Sequence, residues 1–122
     1  MPVYRTLILS LSLLSGFTIT ASALQEQPQS GKNLQERRLL QVAQQSATIA
    51  GGARYCKLDV DDIEEFIGKA DARITLMARD DYQKVLGRLE FKNILAASSV
   101  REPVEGCEKL AIKFGIMLRE SR

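Results

Sequence analysis

Cys56 and Cys107 are the only two cysteines in this chain and stand 51 residues apart. A disulfide between them needs Cα atoms within about 7 Å of each other, so the chain must leave one point and return to it. The residues between them hold the most regular amphipathic segment in the sequence. Ile63, Phe66, Ile67, Ala70, Ile74 and Met77 recur at steps of three and four, which makes one apolar helix face. Asp59 or Asp61 can cap that helix. Asp61, Asp62, Glu64 and Glu65 load its first turns with the negative charge that the helix dipole favours. The spacing predicts a helix over 59–78.

Periodicity alone leaves the next stretch open, because Ile74, Ala78, Tyr82, Val85 and Leu89 could carry one stripe across Arg79–Asp81. A single helix from Asp59 to Ala97 would be roughly 58 Å long at about 1.5 Å per residue. The last predicted helix, 103–120, opens near its far end. Pro103 suits the first helical position there, Cys107 falls about one turn in, and Val104, Leu110, Ala111, Phe114, Met117 and Leu118 complete the apolar face. Cys56 sits at the near end. One long helix and an intramolecular disulfide therefore exclude each other. A fold-back at Arg79–Asp81, where Asp80 and Asp81 suit a new N-terminus, brings both cysteines to one end of an up-down-up bundle. The third predicted helix is then 81–97. It shows Tyr82, Val85, Leu86, Leu89 and Ala96, and Phe91, Ile94 and Leu95 widen the stripe late.

A disulfide belongs to an oxidising compartment, and the N-terminus agrees. Arg5 gives a short positive n-region, Thr6–Ile19 is an apolar run, and Ala21-Ser22-Ala23 is a small-x-small cleavage site. Residues 1–23 read as a signal peptide cut after Ala23, leaving a mature chain of 99 residues. The apolar run is too short for a bilayer span of about 20 residues, so no stable membrane span is expected after cleavage. No cysteine follows the run to carry a lipid. The periplasm or the cell exterior is the expected location.

Residues 24–32 are polar, with Pro28, Gly31 and three glutamines, and read as a flexible tail. A helix over 33–50 follows, with Asn33 as N-cap and Glu36 placed to complete a capping box. Its apolar stripe (Leu34, Leu39, Leu40, Val42, Ala43, Ala47, Ile49, Ala50) is broad and imperfect, and its other face is rich in glutamine. Gly51-Gly52 reads as its end, and a loop to Lys57 then carries Cys56. This helix would dock on the other three as a fourth, or detach to bind a partner. No strand signal and no internal repeat is present. Residues 33–122 read as one helical domain.

Chemistry is narrowed by what the residues lack. There is no histidine, so His-based nucleophile activation, zinc ligation and a general base near neutrality are excluded. The acidic run from Asp59 fails as a calcium loop, because Ile63 and Glu64 occupy the places of a ligand and of the turn glycine. The cysteines lack the CxxC spacing of a redox enzyme. Gly51-Gly52 is followed by no Lys-Ser/Thr and makes no phosphate loop. No two carboxylates stand out as an acid–base pair. Losing Arg5 with the signal leaves a net charge of +1, which is no footprint for nucleic acid. Arg37-Arg38 and the scattered Arg101, Lys109, Lys113, Arg119 and Arg122 read as solvated surface.

The expected fold is all-α: a small up-down bundle of three to four helices, preceded by the cleaved signal and pinned by Cys56–Cys107. This gross plan (signal peptide, about 100 helical residues, two cysteines some fifty apart) is similar to that of small periplasmic acid-stress chaperones, a likeness of architecture alone; small size, the disulfide and the absence of catalytic residue types point to binding rather than catalysis. The expected function is non-catalytic binding of another envelope or secreted protein, as a chaperone-like, inhibitor or immunity protein. A structural or envelope-stress component without a discrete ligand is the alternative, and a carboxylate-based hydrolase is a remote third. No catalytic residue, metal or cofactor is expected. The sequence leaves binding residues and oligomeric state open.

Overall fold

The computed structural model describes residues 30–122. The signal peptide, cleavage site and tail segment expected from the sequence at 1–29 lie outside them. Four helices follow in order: α1 Ser30–Tyr55, α2 Val60–Met77, α3 Asp81–Ser99 and α4 Cys107–Glu120. No strand occurs among the described residues. The all-α bundle pinned by a disulfide is the observed fold. Cys56 and Cys107 are joined, with Cα atoms 5.5 Å apart.

The helices run up-down-up-down. Arg54 of α1 pairs with Glu64 at the start of α2, and Gln35 donates to the Met77 carbonyl at its end, so α1 and α2 are antiparallel. Leu39 lies beside Gly87 and Gly51 beside Ser98, so α3 runs parallel to α1. Gly52 lies beside Leu110, and the Phe66 and Phe114 rings stand 5.4 Å apart, seating α4 against α1 and α2.

The predicted fold-back is present. α2 ends at Met77, and Asp80 caps α3 by accepting the Gln83 N–H at 2.8 Å. Gln83, fully buried, accepts the Arg79 N–H at 3.0 Å and ties the turn from inside. α2 itself matches the sequence pattern. Asp59 accepts the Asp62 N–H at 3.0 Å as N-cap, and Ile63, Phe66, Ala70 and Ile74 are buried.

Four expectations need correction. First, Asn33 is not the cap of α1. The helix already runs from Ser30, since no residue after Pro28 forbids helical geometry and Gly31 costs only about 1 kcal/mol. Ser30–Lys32 therefore belong to α1 rather than to the tail.

Second, Gly51-Gly52 does not end α1. A Cβ on Gly51 would collide with the Ser98 Cβ and come within 2.9 Å of the Leu95 carbonyl oxygen. One on Gly52 would come within 2.7 Å of Leu110 Cδ2. These glycines serve close approach, not termination. The true stop is Cys56–Leu58: Lys57 takes φ +56°, its N–H donates to the Arg54 carbonyl, and the Leu58 N–H donates to Ala53. This is a Schellman end with lysine in the usual glycine place.

Third, α4 starts at Cys107, not Pro103. Residues 103–106 form a turn closed by the Gly106 N–H on the Pro103 carbonyl, and Gly106 is the N-cap with φ +83°. Val104 is fully exposed rather than part of the core.

Fourth, the inward face of α3 is Gln83, Gly87, Phe91 and Leu95, whereas Tyr82, Val85, Leu89 and Ala96 face outward. Gly87 sits where a Cβ would press on Ile74 Cγ2 at 2.8 Å, so α1, α2 and α3 converge on it.

α1 docks on the other three, and it does so as the hub rather than as a lid. It packs against every other helix and most extensively against α3. Leu39, Ala43, Ala47, Ala50 and Ala53 have no exposure at all. The small side chains let the axes come close, and burial on several sides explains why its apolar stripe reads as broad.

Candidate binding surfaces

Because α1 is the hub, α3 and α4 stand on either side of it without packing closely on each other. The gap is a groove with α1 as its floor. Two adjoining hollows, about 430 and about 320 Å³, lie along it and share Thr48 and Glu105; the first is lined by α1, α4 and Glu105, and the second reaches α3. Gln44, Gln45 and Thr48 line the first, and Gly52 continues the floor of the second. Ile94 and Leu110 wall the second hollow, and Met117 walls the first. The loop carrying Arg101, Glu102, Pro103 and Val104 closes the end near the disulfide.

The groove is electrically balanced. Its charged residues are Arg101, Glu102, Glu105 and Lys113, two of each sign, and Lys113 stands 4.0 Å from Glu105. The floor carries only neutral groups. Thr48 donates its hydroxyl to the Gln44 carbonyl at 2.8 Å, and the Gln44 amide donates to Glu90 at 2.8 Å, fixing α1 to α3 along one edge. Side-chain amides both donate and accept. An amide floor between apolar walls suits a ligand of mixed amide and apolar character and offers little to an isolated ion.

The outer face of α3 is a second surface. Tyr82, Val85 and Leu89 are 65, 64 and 54 % exposed. With Ala96 they follow one line along the helix, at spacings of three, four and seven residues, and the exposed Lys92 stands on that line between Leu89 and Ala96. On one flank Arg88 holds Asp71 through two bonds of 2.9 and 2.8 Å, which raises the guanidinium pKa. On the other, Glu90 is engaged by Gln44.

Several of the charged residues singled out in the sequence serve as caps or in surface pairs, while Arg37, Arg38, Asp61, Lys109 and Arg119 are exposed. Asp59 caps α2, Glu64 pairs with Arg54 at 3.0 Å, and Glu65 binds Arg122 at 3.0 and 3.1 Å and Lys69 at 2.9 Å. The Arg122 hydrogen bonds, followed by that of Lys69, hold the Glu65 carboxyl down to about 2. Arg122 also lies 3.6 Å from Asp62, and its own pKa is raised, chiefly by Glu65. These groups fasten the C-terminus to α2 and do not converge on a cleft. Among the described residues, no cluster of three or more His, Cys, Asp or Glu could hold a metal ion. No helix among them is long and apolar enough to cross a membrane.

Neither surface was named from the sequence. The glutamine-rich face of α1 was visible and forms the groove floor, but its walls depend on how α3 and α4 are placed. The α3 stripe stands in the sequence as well, where its periodicity reads as core. No protein-family model matches the chain, and neither does any curated protein or solved structure compared with it.

Proposed function

We propose that this is a non-catalytic binding protein of the periplasm or cell exterior that holds an extended segment of another protein in the α3–α4 groove. A chaperone-like, inhibitor or immunity role would use such a site in the same physical way. The observation that carries the reading is the groove floor. From Gln44 to Gly52 it spans about 12 Å of helix, the length of about four extended residues. Neutral amides there can meet peptide N–H and C=O groups, while Ile94, Leu110 and Met117 accept apolar side chains. The disulfide supports an oxidising location.

An array of short unstructured peptides, graded in apolar content, tests the proposal. Peptides with apolar residues should bind the mature chain, and Thr48→Trp, which fills the groove from an exposed position, should weaken them at least tenfold. Equal binding by Thr48→Trp, or no binding by either, refutes it.

A further inference from the structure

We propose that the hollow beside the end of α4 binds a small zwitterion, an α-amino acid with a short apolar side chain. α4 has 14 residues against 26 in α1. It therefore ends over the middle of α1 and leaves a hollow of about 140 Å³ against α2. Ser46 of α1, Phe66 and Ala70 of α2 and Met117 of α4 line it. Ser46 is 6 % exposed, and the little surface it keeps lies on this hollow. A hydroxyl so enclosed ordinarily has a hydrogen-bond partner. Those of Thr48, Ser99 and Ser121 donate to backbone carbonyls, whereas the Ser46 hydroxyl has no partner among the described residues.

The charges at the mouth are of both signs and unmatched. Arg73 of α2 and Glu120 of α4 line the hollow and are exposed, and among the described residues neither forms an ion pair, with the other or elsewhere. Lys69, also on the rim, is held by Glu65 at 2.9 Å. A lone anion is drawn to Arg73 and repelled by Glu120, and a lone cation meets the reverse. A molecule carrying both charges satisfies both, its carboxylate towards Arg73 and its ammonium towards Glu120. The Ser46 hydroxyl can donate to the one or accept from the other, and Phe66, Ala70 and Met117 receive the apolar side chain. Size sets the class. A cavity of this volume takes a ligand of about six heavy atoms, and the open mouth admits a few more, the range from alanine to valine. Met117 is the one lining residue shared with the groove, so changes at Arg73 and Glu120 leave the groove intact and the two proposals stand or fall separately.

Titration of the mature, disulfide-intact chain with L-valine at constant ionic strength tests it, read from backbone amide NMR shifts. The shifts should saturate with Kd on the order of 1 mM, as suits so small a ligand, and should centre on Ser46, Ala70 and Arg73 while Gly52 and Ile94 of the groove stay still. Valinamide, which lacks the carboxylate, and N-acetylvaline, which lacks the ammonium, should each bind at least tenfold more weakly. Arg73→Gln and Glu120→Gln should each weaken valine about tenfold, and Ser46→Ala several-fold. Arg73 and Glu120 are exposed, so circular dichroism should show unchanged helix content in their variants. No saturable shift up to about 50 mM would leave the hollow to water alone and overturn the proposal. N-acetylvaline binding as tightly as valine would make it a plain anion site, and valinamide doing so a cation site; either overturns it. Arg73→Gln and Glu120→Gln variants that bind valine like the parent overturn it too.

Discussion

Replacing Gly51 with alanine adds one methyl group at the tightest point between α1 and α3. In an open helix that change is favourable, since alanine exceeds glycine by about 0.5–1 kcal/mol. At Gly51 the new carbon would overlap Ser98 Cβ and stand 2.9 Å from the Leu95 carbonyl oxygen and 3.0 Å from the Ser98 carbonyl carbon. Two of these three are backbone atoms, so no rotamer change relieves the contact and the two helices must part. Overpacking of that kind costs about 1–3 kcal/mol, so it cancels the helix gain at least and leaves a net loss of up to about 2.5 kcal/mol. At about 4–8 °C per kcal/mol for a domain of this size, Tm should fall by up to about 20 °C rather than rise. Gly68 supplies the control, because nothing lies within 4 Å of a Cβ placed there. Gly68→Ala should raise stability by about 0.5–1 kcal/mol. Urea titration followed by circular dichroism, with the disulfide intact, measures both. If Gly51→Ala stabilises as Gly68→Ala does, the close α1–α3 approach is wrong and so is the placement of α1 as hub.

Lys57 holds a left-handed backbone with a side chain that disfavours it, so Lys57→Gly should stabilise by about 1 kcal/mol in the same titration. Glu65 is held down to about 2, first by Arg122 and then by Lys69. A carboxylate depressed on folding stabilises above its unfolded pKa and loses that contribution as pH falls through the folded one. The window here runs from about pH 4.5 down to 2, and Arg122→Ala should move the Glu65 midpoint, read by carboxyl NMR, back towards 4.5. The effect on global stability should be small, because the pair is at the surface. The double variant Cys56→Ser/Cys107→Ser opens a 51-residue loop and should lose up to about 4 kcal/mol in unfolding experiments, while keeping the order of the four helices.

The parts of the fold legible in the sequence share a physical character. α2 lies at the surface of the bundle and buries one face, so Ile63, Phe66, Ala70 and Ile74 recur as periodicity requires. The fold-back at Ala78–Asp80 was reached through the reach of a disulfide rather than through local propensity. What misled was polar or glycine residues used inside. Gln83 and Gly87 occupy the inward line of α3 because one ties the α2–α3 turn and the other admits Leu39 and Ile74. A hydrophobic pattern cannot score either, so the more apolar outer stripe took their place. Gly51-Gly52 resembled a C-cap because the need for close approach comes from α3 and α4, far along the chain, while the real stop used lysine. The groove was the least legible feature, since it is the space left where two helices do not meet.

One covalent link closes the end of α1 onto the start of α4 within a single chain. Mass measurement of the mature protein with and without reduction, followed by a non-reducing proteolytic map, tests it most directly. The unreduced monomer should be about 2 Da lighter, one hydrogen per sulfur, and one peptide pair should join Cys56 to Cys107. An unchanged mass, or a bridge found only in a species of twice the mass, would contradict it.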